Sequence, residues 1–142
     1  MRAAVVLFTI SILFISCGGD DEGNPSAPAE CTQAWCPFVG VWRLNQLLAD
    51  GNAVNENISS YRLDLKKPTS GESGNYQRTF ASGESESGTW SVTNNGSVIV
   101  LDTPDAEETY IVESVSGSSL ILVFERESVK PGPDTFRFSF TK

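Results

Sequence analysis

From Val39 onward, apolar and polar residues alternate with a period of two, and no stretch shows the longer period of an amphipathic helix. Clusters of Gly, Asn, Pro and Ser separate the alternating stretches at short intervals, as turns separate strands. Only the connection at 49–60 is long. The pattern predicts eight β-strands, at 39–47, 61–66, 75–81, 88–93, 97–101, 108–115, 119–127 and 135–141.

Most connections between these predicted strands are short, which favours pairing between strands that follow each other in sequence. Asn94-Asn95-Gly96, for example, is typical of a tight hairpin turn. Eight antiparallel strands in up-and-down order tend to close, because closure removes the unpaired edges that promote aggregation. The predicted fold is all-β, an eight-stranded antiparallel up-and-down barrel over residues 37–142.

The first sixteen residues have a different pattern, with one charge at Arg2 followed by a mainly apolar run from Ala3 to Ile15. A helix needs about 20 apolar residues to cross a bilayer core, so this run is too short for a permanent span. Its length and its charged start are those of a secretory signal. Residues 1–16 are therefore predicted to be a signal peptide that is removed.

The apolar run ends in Phe14-Ile15-Ser16-Cys17, which resembles the lipobox of bacterial lipoproteins, whose cysteine becomes the acylated first residue. The resemblance implies lipid attachment at Cys17 and a protein anchored in the outer membrane, facing the periplasm or the cell surface. Three acyl chains would exceed the two signals that stable anchoring requires. The alternative is an ordinary secretory signal that is cut nearby and leaves Cys17 as an incidental thiol.

Residues 17–36 are predicted to tether the anchor to the barrel. Asp20-Asp21-Glu22 resembles the acidic export signal of surface lipoproteins of Bacteroidota, and the alternative is a solvated linker. Cys31 and Cys36 are two thiols in an oxidising compartment, which suggests a disulfide whose small loop contributes about 2 kcal/mol. A metal site is the weaker alternative, because the chain has no histidine and two thiolates do not complete a zinc shell.

The chain is acidic, with 10 Lys and Arg against 18 Asp and Glu and a net charge of −8. This charge argues against nucleic acid as a partner, and it means that membrane attachment must come from the lipid. The absence of histidine removes the commonest general base. Carboxylates near turns, such as Glu84, Glu86 and Glu108, are interpreted as solvated surface. We therefore predict no enzymatic activity, no cofactor and no metal site.

Two short motifs carry a resemblance to a known family. Gly40 and Trp42, two residues apart at the start of the first strand, are similar to the G-x-W opening of lipocalins and fatty-acid-binding proteins. Gly88-Thr89-Trp90 opens the fourth strand in a pattern similar to the small lipocalin-like domains of bacterial lipoproteins. The resemblance covers residues 37–142 and implies a lipocalin-like barrel.

The same resemblance implies an arginine on the last strand that covers the tryptophan of the first strand at the barrel base. The candidate is Arg137, packed on Trp42. Alternation places Phe136, Phe138 and Phe140 on one face of that strand and Arg137 on the other. The arginine would therefore have to curl around the end of the barrel to reach Trp42. We interpret Trp42 and Trp90 as core residues, and direct contact with a ligand is the weaker alternative.

The function of such a barrel depends on whether its interior is hollow or filled by side chains. The inward positions are bulky, which predicts a small pocket near one rim or none; they include Trp42, Leu44, Leu63, Phe80, Trp90, Val92, Tyr110, Val112, Leu122, Phe124 and Phe138. Ile99, Leu101, Ile121 and Val123 lie on the alternate faces of their strands and are also apolar, so those faces are either covered or exposed to a partner.

These observations leave two functions open. A hollow barrel would bind a small apolar ligand, with contacts from Phe80, Trp90, Tyr110, Phe124 and Phe138. A filled barrel would instead be a rigid scaffold that docks an envelope or cell-surface protein.

Overall fold

The alternating part of the sequence forms nine β-strands in the computed structural model, which describes residues 31–54, 57–129 and 131–142. All eight predicted strands are present, and a ninth, two residues long, lies in the connection predicted to be a long loop. The strands are β1 (Gly40–Ala49), β2 (Asn52–Ala53), β3 (Arg62–Leu65), β4 (Ser73–Thr79), β5 (Ser85–Thr93), β6 (Val98–Asp102), β7 (Glu107–Val115), β8 (Ser119–Arg126) and β9 (Asp134–Thr141).

The sheet is antiparallel throughout and closes on itself. β1 pairs with β3 on one side and with β9 on the other, and β3 to β9 pair in sequence order. The short β2 forms a hairpin with the end of β1. This confirms the predicted barrel of eight strands, β1 and β3–β9. The helical elements of the described residues are two 3-10 turns, Cys36–Phe38 and Asn94–Gly96, and no helix there is long and apolar enough to cross a membrane.

The hydrophobic core fills much of the barrel interior, because alternate residues of each strand point inward. Along β4, for example, Gly74, Tyr76 and Arg78 are buried between exposed neighbours. The core consists mainly of large apolar side chains, among them Phe38, Trp42, Leu63, Leu65, Tyr76, Trp90, Ile99, Leu101, Tyr110, Leu120, Leu122 and Phe140. The side chains of Ile99 and Leu101 thus belong to the core, whereas Ile121 and Val123 are only half-buried.

Trp42 is fully buried near the start of β1 and closes that end of the barrel. Its indole Nε1 donates a hydrogen bond to the carbonyl oxygen of Phe38 at 2.6 Å. The side chain of Lys142 covers the ring, with Nζ 4.2 Å from the ring centroid. The barrel base therefore has a cation over its tryptophan, and that cation is Lys142.

The prediction that Arg137 occupies this place is wrong. Arg137 lies on the outer face of β9, where its Nε and Nη2 donate to the carboxylate of Glu113 at 2.6 and 2.9 Å. Strand alternation is the physical reason, since Phe136, Phe138 and Phe140 take the inward positions of β9 and leave Arg137 outside.

A disulfide between Cys31 and Cys36, with Cα atoms 5.7 Å apart, closes a small loop in the segment before β1. Trp35 lies inside this small loop and packs into the core. Phe38, at the end of the turn that Cys36 begins, is fully buried. The disulfide and these two rings together fix where the chain enters the barrel.

Candidate functional site

A cavity of about 240 Å³ lies at the end of the barrel where β8 ends and β9 begins. Phe136 on the cavity wall pairs with Ala49 at the end of β1, whereas Trp42 lies near the start of β1. The cavity and Trp42 are therefore at opposite ends of the barrel. Six aromatic and three charged residues line the cavity: Tyr61, Phe80, Tyr110, Phe124, Phe136, Phe138, Arg78, Glu108 and Arg126. The cavity therefore combines an apolar wall with a small set of ionised groups.

Strand geometry brings the charged groups together. Arg78 is the third inward residue of β4, and its direct cross-strand partner on β5 is Glu86. Glu108 and Tyr110 are alternate residues of β7 and share its inward face. The three strands thus place one arginine and two glutamates at the same level inside the barrel.

Arg78 is only 5% exposed, makes charge-assisted hydrogen bonds with Glu108 and forms an ion pair with Glu86. Its Nη1 and Nη2 donate to the two carboxylate oxygens of Glu108 at 2.6 and 3.1 Å. Nη2 also lies 2.5 Å from Oε1 of Glu86. Bidentate pairs of this kind fix the plane of the guanidinium. Arg78 is therefore held rigidly at the inner end of the cavity.

Two tyrosine hydroxyls form hydrogen bonds with members of the network. Tyr110 accepts a hydrogen bond from Nη1 of Arg78 at 2.9 Å and donates one to Glu108 at 2.7 Å. Tyr76 donates to Glu86 at 2.9 Å. Among the buried side-chain nitrogen and oxygen atoms of the described residues, Nε of Arg78 has no hydrogen-bond partner. The other two nitrogens of the Arg78 side chain, Nη1 and Nη2, both have partners within the protein.

The network keeps Arg78 and Glu108 charged. Burial by itself lowers the pKa of Arg78, but the hydrogen bond to Glu108 and the charges around it outweigh burial and raise that pKa. Burial by itself raises the pKa of Glu108, but hydrogen bonds from Arg78 and Tyr110 hold it below its ordinary value. Both groups are therefore ionised at neutral pH.

The aromatic rings that line the cavity also pack against one another. Tyr110 lies 5.2 Å from Phe124 and 6.0 Å from Phe138, measured between ring centroids. Tyr61 lies 6.1 Å from Phe138 and 6.2 Å from Phe80, the second pair edge to face. These separations are typical of stabilising aromatic pairs. The wall is thus a continuous aromatic surface around the charged network.

The structure places four of the five residues predicted to contact a ligand on this wall: Phe80, Tyr110, Phe124 and Phe138. The fifth, Trp90, is buried elsewhere in the core, where its Nε1 donates to the carbonyl oxygen of Lys66 at 3.0 Å. A side chain at Gly74 would collide with the Trp90 indole, so that strand position holds a glycine. Trp90 therefore has a packing role and does not line the cavity.

The interpretation of Glu86 and Glu108 as solvated surface is wrong, since both face inward and pair with Arg78. Strand alternation carries the signal for Arg78, because Arg78 lies two residues before Phe80, which the sequence predicts to point inward. Glu108 likewise lies two residues before Tyr110. Each charge taken singly is improbable in a core, and only the three-dimensional pairing makes its burial tolerable.

Cys17, the predicted lipid attachment site, lies outside the described residues. Within the described ranges, no group of three or more His, Cys, Asp and Glu side chains is placed to hold a metal ion.

The three tyrosines of the chain provide a test of the network, because all of them have raised pKa values. Burial is the main cause at Tyr61, Tyr76 and Tyr110. The unfolded chain releases these phenolic protons near pH 10, whereas the folded chain retains them, so the free energy of unfolding falls as the pH rises above about 10. We expect tyrosinate absorbance to appear together with loss of the β-sheet circular dichroism signal. Tyrosinate that forms near pH 10 while the sheet signal persists would contradict the network.

The comparison with protein-family models agrees with this architecture. The family model for the lipocalin-like domain matches residues 38–122. No curated protein matches the chain. Among solved structures, the chain is similar to a lipocalin-like protein from Bacteroides uniformis, with 21% sequence identity, a TM-score of 0.48, and coverage of 75% of this chain and 98% of that one. Because the family match spans more than half of the sequence, the chain belongs to the lipocalin-like domain family.

Proposed function

We propose that the protein is a membrane-anchored lipoprotein whose barrel binds one small, mainly apolar molecule without catalysing its conversion. The observation that carries the proposal is the cavity with six aromatic residues on its wall and an ion network at its inner end. Binding sites for small molecules combine apolar walls with a few placed polar groups. The network supplies the polar groups and the rings supply the apolar contact.

The size of the cavity limits the ligand. A dry apolar cavity of about 150 Å³ in another protein holds a benzene molecule, and the cavity here measures about 240 Å³. Pockets for drug-sized ligands begin at about 300 Å³. The proposed ligand is therefore a single ring with a short substituent, or an aliphatic chain of similar volume. A long-chain lipid would extend out of the barrel.

The alternative function, a filled barrel that docks an envelope or cell-surface protein, has less support. Its premise is an interior occupied by side chains. The cavity leaves space at one end, and the rings that surround it belong to five separate strands or their flanking residues, so they form a concave site. Three outer apolar residues, Val98, Ile111 and Val123, lie side by side on β6, β7 and β8, but Val98 and Val123 are half-buried and only Ile111 is exposed.

Ligand binding is tested with phenethyl alcohol, a neutral single-ring probe, followed by NMR shifts of the folded protein. We expect shifts confined to the cavity, and a Phe138→Ala variant should weaken binding on the order of tenfold because it removes ring contacts. Val100→Ala on β6 is the matched control, since that residue points away from the core and is not on the cavity wall. Absence of saturable shifts in the wild-type protein would refute the binding function.

The anchor is tested separately through Cys17. A Cys17→Ser variant should lose metabolic labelling by palmitate and leave the membrane fraction, because acyl chains are the proposed attachment. The matched control is a variant of a cysteine in the disulfide, Cys31→Ser, which should retain the label. Retained labelling of the Cys17→Ser protein would exclude lipid attachment at this residue.

A further inference from the structure

The ion network at the inner end of the cavity carries an excess of negative charge. One guanidinium, that of Arg78, faces two carboxylates, those of Glu86 and Glu108. The side chains of these glutamates are only 19% and 26% exposed, so water compensates the excess poorly. An entering ligand therefore meets, at the inner end of the cavity, an ion network with one excess negative charge.

Arg78 offers no free position to an anion. Both of its terminal nitrogens already donate to carboxylate or hydroxyl oxygens of the protein. Its remaining donor, Nε, is enclosed, and the guanidinium carbon lies 4.9 Å from the centroid of the Phe80 ring. A ligand carboxylate would have to displace Glu108 or sit beside it, and like charges at such distances repel strongly in a buried site.

The other arginine of the cavity lies at its mouth and does not reverse this balance. Arg126 is 63% exposed on its side chain and lies 3.5 Å from the carboxylate of Asp134. Water and this partner screen its charge, so its effect inside the cavity is smaller than that of the buried network. The charges of Arg126 and Asp134 cancel each other, so the cavity keeps its one excess negative charge when both are included.

The aromatic wall suits a cation for a second, independent reason. The faces of aromatic rings attract positive charge, and two rings of this cavity already do so within the protein. The guanidinium of Arg78 lies over Phe80, and that of Arg126 lies over Phe136 at 5.3 Å. The rings of Tyr110 and Phe138 also border the cavity and have no such cation among the described contacts.

We propose that the cavity selects small organic cations, a primary ammonium group on a single ring or short aliphatic body, over anions of the same size. The ammonium would lie near the carboxylate of Glu108 and against the aromatic faces, and the apolar body would fill the rest of the cavity. This selectivity rests on the proposed ligand-binding function and specifies the chemical class of the ligand.

Three probes with the same ring test the selectivity at neutral pH: phenethylamine (cation), phenethyl alcohol (neutral) and phenylacetate (anion). We expect phenethylamine to bind most tightly and phenylacetate least, with affinities that differ on the order of tenfold or more. Phenylacetate that binds as tightly as phenethylamine would overturn the selectivity but leave the binding function intact. If none of the three probes binds, the binding function itself fails.

A variant that removes the charge of Glu86 tests whether the excess negative charge of the network causes the preference for cations. Glu86→Gln removes the excess charge without changing a residue of the cavity wall, and its amide oxygen still accepts from Tyr76. The preference for phenethylamine over phenylacetate should shrink several-fold in this variant. Glu113→Gln on the outer face is the matched control, because it changes the net charge equally but far from the network. Equal effects of the two variants would attribute the preference to overall charge and overturn the proposal. The wild-type ratio decides the question alone if Glu86→Gln does not fold.

Discussion

An Arg78→Met variant is expected to lose about 3 to 5 kcal/mol of unfolding free energy, because removing one partner of a buried ion network leaves uncompensated charges behind. Glu86 and Glu108 would then face each other inside the barrel with no cation between them. Methionine retains most of the apolar volume, so the loss reports on charge more than on packing. Chemical denaturation at neutral pH measures the change.

Two further variants make this result interpretable. Arg137→Met breaks the ion pair with Glu113 on the outer face and should change stability far less, because water replaces the lost partner. A triple variant, Arg78→Met with Glu86→Gln and Glu108→Gln, should recover much of the loss because no buried charge remains. If Arg78→Met and Arg137→Met were equally mild, the network would be solvated and its role in the cavity would be refuted.

A Trp42→Ala variant is expected to cost about 3 to 5 kcal/mol through the cavity it leaves. Trp42 is fully buried, its Nε1 bonds to the carbonyl of Phe38, and Lys142 covers its ring, so several contacts are lost at once. That is a large share of the stability of a small domain. Val41→Ala is the control, since Val41 is 40% exposed on the opposite face of β1. An unchanged denaturant midpoint for Trp42→Ala would show that the ring is not part of the core.

The same variant separates structure from binding. Trp42 does not line the cavity, so the folded fraction of Trp42→Ala should bind phenethyl alcohol with nearly the wild-type affinity. A large loss of affinity in protein that remains folded would mean that the barrel base and the cavity are coupled.

The architecture of the barrel could be predicted from the sequence because its main signals are local. Alternation of apolar and polar residues defines a strand within a few residues, and short Gly- and Asn-rich turns define which strands pair. β2 escaped prediction because a two-residue strand has no alternation to detect. Its pairing depends on β1 reaching beyond residue 47, where the sequence pattern had ended the first strand.

The site could be predicted only in part, because alternation states which side of a strand a residue faces but not its depth in the barrel. Phe124 and Trp90 both face inward, yet one lines the cavity and the other packs beside Gly74. Arg78 was missed for a different reason. Its burial depends on partners from β5 and β7, and their distance in sequence hides the pairing that makes a buried charge tolerable.

The pairing of β1 with β9 has a consequence for how the chain folds. From β3 through β9, each strand pairs with the next strand in sequence, so these pairings can form one after another as hairpins. Closure instead joins Arg43 to Thr141, across nearly the whole domain. Long-range contacts of this kind carry the largest loop-closure entropy and slow the folding of β-proteins. Until that step is complete, β1 and β9 each have an open edge, and the partly folded chain is most exposed to association with other chains.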